Sequence, residues 1–230
     1  GMNGGQLCIS PDRIYVPVAA QDEFVSAFCE TYSALYPTVE DNPDFTAVVN
    51  VQHLARVAGY VAQAQEEGAE VVRCPDMPVP AVGRKHPLSI VINPPLLSDI
   101  MQQEIFGPAL VLLTYSDVKH VVQEINQGER PLALYYFGED EAEQNYVLNH
   151  TLSGGVTLND ALMHAAMEEA PFGGVGASGM GHYHGRDGFL EFSHARTVFK
   201  SAPVDPRGEW GMLPPFSEHF TPGMITQVTR

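Results

Sequence analysis

Short β-branched runs and longer amphipathic stretches take turns along this chain, and that alternation constrains the fold more than any other feature. The apolar runs fall at residues 12–18, 70–73, 88–93, 109–115, 133–137 and 155–158, each bounded by polar, Gly or Pro residues, as short strands are. Between them, residues 20–36, 51–67, 117–126 and 141–150 place apolar side chains at helical spacing, as Val118, Val121, Val122 and Ile125 do. Strand, helix and strand in that order predict right-handed crossovers onto a mainly parallel sheet buried on both faces. The expected fold is therefore α/β: an open, mainly parallel twisted sheet with flanking helices, in which 88–93, 109–115, 133–137 and 155–158 share one sheet. Ser116, just before Asp117, is the N-cap candidate of one helix, and Gly68 and Gly128 mark helix ends. Pro75, Pro78, Pro80 and Pro87 punctuate an irregular crossing loop. From Pro171 the chain turns Gly-rich, and from Pro203 to Arg230 it keeps little periodicity, so this tail is expected to wrap a neighbour or fray.

At 230 residues the chain is long enough to bury a sizeable core. Its 12 Lys and Arg against 28 Asp and Glu, a net charge of −16, leave too few cations for a phosphate-neutralising stripe, so no nucleic-acid partner is expected. No apolar run reaches the roughly 18 residues that span a bilayer, and residues 1–30 lack the basic and apolar segments of a secretory signal. No membrane partner is expected, and the reading is cytoplasmic. Cys8, Cys29 and Cys74 are odd in number and show no C-x-x-C spacing. They fit neither a disulfide framework nor a thiolate zinc site, and reduced thiols are expected. Cys29, among Phe24, Val25, Phe28 and Tyr32, reads as packed core.

Near the N-terminus stands Asn3-Gly4-Gly5-Gln6-Leu7-Cys8, a cysteine after small residues that allow close backbone approach. A thiolate nucleophile fits such a position, and so does a small buried hydrophobe; the residues alone leave both open. His182 and His184, with His164, His194 and Asp187 elsewhere, raise the question of a metal. H-x-H is a weak signature and no metal is expected. A Cys8–His hydrolase dyad would need a proximity that the sequence does not show.

The segment from Asn3 to Cys8 resembles the catalytic cysteine motif of the aldehyde dehydrogenase superfamily. Gln103-Glu104-Ile105-Phe106-Gly107-Pro108 resembles that family's E-I-F-G-P segment, and Pro171-Phe172-Gly173-Gly174-Val175-Gly176 with Ser178-Gly179-Met180-Gly181 resembles its late Gly-rich loop. The order of the three also agrees. Thr157-Leu158-Asn159-Asp160 and the stretch from His182 to His194 look most like the branch holding class 3 and coniferyl aldehyde dehydrogenases. The resemblance runs from Asn3 to about Ser201 and implies oxidation of an aldehyde, aromatic, coniferyl-like or aliphatic, to its acid through a cysteine thiohemiacetal and thioester. By it Cys8 is the nucleophile, with its own N–H in the oxyanion hole. Glu104 accepts hydrogen bonds from the nicotinamide ribose, Phe106 packs beside that ribose, and Phe172 walls the aldehyde pocket. NAD or NADP is the implied cofactor of the complete enzyme.

The departure lies at the front, where only residues 1–7 precede Cys8. The family sets its Rossmann-like cofactor domain there, with the general-base glutamate, the oxyanion asparagine and the pyrophosphate-binding turn. The cofactor is therefore not expected to be bound by this chain alone. The expected organisation is a catalytic domain over 1–192, an oligomerisation strand over 193–200, from Ser193 to Lys200, and an irregular tail over 201–230. A homo-oligomer, a dimer through 193–200, follows by resemblance. The alternative is a catalytically silent fragment that keeps only the fold and that interface.

Overall fold

The computed structural model describes residues 1–80, 82–201, 203–210 and 212–215. By internal contacts the chain divides into Gly1–Phe192 and Ser193–Arg230. In the first unit the elements are β1 (Arg13–Pro17), α1 (Gln21–Leu35), α2 (Val51–Glu66), β2 (Glu70–Cys74), β3 (Leu88–Ile92), α3 (Asp99–Gln102), β4 (Ala109–Tyr115), α4 (Val118–Gln127), β5 (Ala133–Tyr136), α5 (Glu141–His150), β6 (Gly155–Leu158) and α6 (Gly185–Glu191).

The four-stranded sheet has the order β1-β4-β3-β2. Two of its three contacts are parallel, with Arg13 opposite Val111 and Ile90 opposite Leu110, whereas β2 closes one edge antiparallel, with Val72 opposite Ile90. Period-2 alternation divides the core between its faces. Val91, Val111 and Leu113 pack with Val57 and Val61 of α2 and with Ile105, while Ile90, Ile92, Leu110 and Leu112 pack with Tyr32 of α1 and with Phe45. All five residues of β3 are buried, as befits a strand covered on both sides.

The mainly parallel α/β fold stands, but the single sheet does not. β5 and β6 form a separate parallel pair, with Ala133 opposite Gly155. β1 occupies the edge of β4 from Val111 to Tyr115 and β3 the other, so β5 cannot pair with β4. Instead Leu134 and Tyr136 pack on Val122 of α4 and Val147 of α5.

Helix starts follow the chemistry of short polar side chains, which accept hydrogen bonds from otherwise orphaned N–H groups. Asn50 accepts from His53 N–H, and Asp140 from the N–H groups of Ala142 and Glu143. At α4 the cap is Asp117, which accepts from Lys119 N–H, and not Ser116. The aspartate lies one residue nearer the first turn and brings a charged acceptor to the positive end of the helix. Gly68 follows α2 at φ +103°, a conformation costly for a residue with a Cβ. The short helices α3 and α6 carry too few turns to show a period in sequence.

The thiol expectation is overturned at two positions. Cys29 on α1 and Cys74 at the end of β2 are joined by a disulfide, with Cα atoms 5.2 Å apart. Spacing in sequence could not show this, because the pair is 45 residues apart and meets only when α1 covers the sheet. Cys8 is the free cysteine, and it is exposed.

Among the described residues no helix is long and apolar enough to cross a membrane. Residues 193–200 form no strand within the single chain, and Val198 and Phe199 are exposed. The expectation for the tail falls mostly on 216–230, outside the described residues.

Candidate active site

The Asn3–Cys8 motif builds a loop whose first three residues take a backbone conformation costly for most side chains. Asn3, Gly4 and Gly5 all have positive φ, at 52°, 62° and 75°, in the left-handed region that glycine occupies without steric cost and asparagine tolerates better than most residues. Gln6, buried, ties this loop down. Its Nε2 donates to Asn3 O at 2.9 Å and Ala47 O at 3.2 Å, and its Oε1 accepts from Val49 N–H at 2.8 Å. Asn3 Nδ2 returns a bond to Gln6 O at 3.0 Å. The chain then turns, with Ser10 N–H donating to Leu7 O at 3.0 Å, which leaves Cys8 and Ile9 as the two central residues of the turn. A thiol at a turn apex is presented to solvent, and Cys8 is exposed.

The second motif meets the first directly. A Cβ added to Gly5 would overlap the carbonyl oxygen of Gly107, so the loop before Cys8 and the loop carrying Glu104 and Phe106 touch backbone to backbone. Helix α2 fixes that second loop through three successive carbonyls. Arg56 donates to Glu104 O at 2.9 Å and Ile105 O at 2.6 Å, and His53 Nε2 lies 2.5 Å from Phe106 O. Since a carbonyl only accepts, Nε2 of His53 carries the proton, which leaves Nδ1 to accept from Arg56 Nε at 3.3 Å. The guanidinium also lies over the Tyr60 ring, 5.0 Å from its centroid. Phe106 is held at φ +48°, a strained backbone for an aromatic residue that its neighbours must enforce. The Glu104 side chain remains exposed.

Phe172 stands further along, half-buried in the Gly-rich segment and paired backbone to backbone with Tyr183. Its ring stacks with His164 at 6.0 Å and packs edge-on against Tyr183 at 5.7 Å. His164 also lies 5.9 Å from the Tyr135 ring, and Tyr135 donates its hydroxyl to Ile9 O at 2.7 Å. The route from Phe172 to the Cys8 turn therefore passes through His164 and Tyr135. Burial pushes the Tyr135 hydroxyl above its ordinary value; a backbone hydrogen bond at Leu162 opposes this, and the charge of a Cys8 thiolate adds to it. Burial pushes His164 down.

Sequence reading thus named Cys8, Glu104, Phe106 and Phe172, weighed His164 as a metal ligand and Gln6 only as part of the motif, and missed His53, Arg56 and Tyr135, which hold the site together. A signal existed for one pair: His53 and Arg56 sit at i and i+3, one side of an amphipathic helix. No local pattern marks Tyr135. Among the described residues no cluster of three or more His, Cys, Asp or Glu is set to hold a metal.

The family model for aldehyde dehydrogenases matches residues 2–198. A probable coniferyl aldehyde dehydrogenase of Caulobacter vibrioides is 41% identical over 232 residues, covering 100% of this chain and 48% of that protein. A second, from Pseudomonas aeruginosa, is 47% identical over 200 residues, 86% of this chain and 41% of the relative. The chain spans about half the length of the curated relatives it matches. Among solved structures, substrate-bound AldH of Staphylococcus aureus superposes with a TM-score of 0.79 at 34% identity, over 99% of this chain and 48% of that one. With the three motifs in one fold and the family match running over most of the chain, this protein belongs to the aldehyde dehydrogenase family.

Proposed function

We propose that this chain carries the thiol half of an NAD(P)-dependent aldehyde dehydrogenase acting on an aromatic, coniferyl-like or longer aliphatic aldehyde. The observation that carries the reading is the contact of Gly5 with Gly107, which sets the Cys8 turn against the loop of Glu104 and Phe106. In this reading the Cys8 thiolate attacks the aldehyde carbon to give a thiohemiacetal, with the Cys8 N–H directed at the developing oxyanion. Loss of hydride then leaves a thioester on Cys8, which water hydrolyses to the acid. A nicotinamide nucleotide, when bound, supplies the hydride acceptor.

The residues present fit one end of that nucleotide. Glu104 offers an exposed carboxylate to ribose hydroxyls, and Phe106, locked by His53 and Arg56, offers a ring edge or face beside them. The resemblance assigns no residue of this chain to the general base or the pyrophosphate turn. NADH formation by these 230 residues alone is therefore expected to be negligible, since a general base alone contributes about 10²–10⁴-fold.

The nucleophile assignment is tested by protection. Benzaldehyde-type aldehydes are expected to slow alkylation of Cys8 by iodoacetamide in a saturable manner, as thiohemiacetal formation removes the thiolate. Alkylation unaffected by any aldehyde would remove Cys8 from the role.

A second reading concerns assembly. Residues 193–200 expose Val198 at 77% and Phe199 at 84% of their surface, an apolar pair that pairing with a second copy would cover. Light scattering is expected to return a homo-oligomer, and a monomer at tens of micromolar would remove this reading.

A further inference from the structure

We propose that Tyr135 is a positioning residue for Cys8, acting through the hydroxyl that holds the Ile9 carbonyl. The proposal rests on the reading of Cys8 as nucleophile, and it concerns how the thiol is aimed. Cys8 and Ile9 are the two central residues of one turn, closed by Ser10 N–H on Leu7 O. A turn on the surface is free to rock unless the backbone on both sides of its apex is held. Gln6 secures the entry to this turn, and Tyr135 Oη, 2.7 Å from Ile9 O, grips its exit, at the carbonyl of the residue that follows Cys8.

The grip comes from a rigid part of the molecule. Tyr135 lies on β5 and pairs in register with Thr157 on β6, so the two side chains stand side by side on one face of the small sheet. Thr157 Oγ1 in turn lies 2.8 Å from His164 Nδ1 and accepts from the His164 backbone N–H at 3.2 Å. The His164 ring fills the space over Gly155, where a Cβ would collide with it, and stacks on Phe172. One pair of neighbouring residues, Tyr135 and Thr157, thus supports both the turn that carries the thiol and the ring of Phe172. A shift of this sheet would move nucleophile and pocket wall together, which is what a fixed attack geometry requires.

The consequence is a difference between reactions that need a trajectory and reactions that need only a thiolate. With p-nitrophenyl acetate the thiolate sulfur forms a bond to the acetyl carbon, the bond from that carbon to the aryl oxygen breaks, and nitrophenolate leaves with the electron pair. That step passes through an oxyanion and needs Cys8 correctly set. Alkylation by iodoacetamide follows chiefly the thiolate fraction and access.

Tyr135→Phe keeps the ring against His164 and removes only the hydroxyl. It is expected to slow the nitrophenolate burst about tenfold, since small misplacements of a reacting group carry costs of that order or more. Iodoacetamide alkylation should stay within about twofold, because it needs an accessible thiol rather than a fixed trajectory. Tyr135→Ala, followed by melting temperature, reports the packing contribution separately. An unchanged burst in Tyr135→Phe, or an equal fall in both reactions accompanied by melting, would overturn the proposal. Cys8→Ala separates the two levels of the argument: a burst that survives it refutes the nucleophile reading itself, whereas a burst lost in Cys8→Ala and unchanged in Tyr135→Phe refutes only the role of Tyr135.

Discussion

Gly5 and Gly107 lie so close that the space of one missing Cβ is filled by the carbonyl oxygen of the other. Two motifs about a hundred residues apart in sequence thereby become one surface. Gly107 is itself wedged, since a Cβ there would lie 2.8 Å from Val57 Cγ2 of helix α2. The candidate site is therefore built on α2 from below and on the β5–β6 pair from the side.

Gly5→Ala is expected to destabilise the chain by about 1–3 kcal/mol, through the positive φ and the overlap together. Urea unfolding checks this. Gly59→Ala is the contrast, since a Cβ there meets nothing within 4 Å and the residue lies inside α2; it should be neutral or gain up to about 1 kcal/mol.

Arg56→Ala removes both guanidinium bonds to the loop of Glu104 and Phe106. A loss of about 1.5–3 kcal/mol is expected, the range for hydrogen bonds to charged groups. Arg56→Lys should recover only part, because an ammonium lacks the planar fork that spans two successive carbonyls. Denaturant midpoints of the three proteins give the order.

Thiol counting tests the cysteine pairing. Without reductant, the folded chain is expected to show one reactive thiol with Ellman's reagent, that of Cys8. After reduction and unfolding it should show all three cysteines. Three reactive thiols before reduction would refute the bond between Cys29 and Cys74.

Acid should weaken the fold in a window set by two histidines. Burial lowers both His164 and His86 from the ordinary value of 6.5. Between the folded and unfolded values the unfolded chain binds more protons, so stability rises with pH there. It is therefore expected to be intact above pH 6.5 and to decline as pH falls below it. At His164 the structural cause is visible, since Nε2 is buried without a partner and Nδ1 faces Thr157 Oγ1. Melting temperatures at pH 7.5 and 5.5, for the parent and for His164→Gln, measure the effect; an equal decline in both would clear His164 of any part in it.

Short runs such as Leu88–Ile92 and Ala109–Tyr115 were legible as strands because burial on both faces leaves them nearly continuous in apolar residues, with Ser89 and Thr114 as the polar exceptions. The long helices were legible because a one-sided core imposes a 3.6-residue period, and the chemistry-bearing motifs through their resemblance to the aldehyde dehydrogenase family, since the residues alone left Cys8 open between a nucleophile and a small hydrophobe. Tertiary structure decided everything that depends on an edge or a partner. β1 rather than β5 took the side of β4, so one expected sheet became two. Cys29 found Cys74 because α1 lies over β2. Tyr135 reached Ile9 across 126 positions, a pairing that no period or spacing encodes. Periodicity records which side of an element is dry, and it does not record which neighbour dries it.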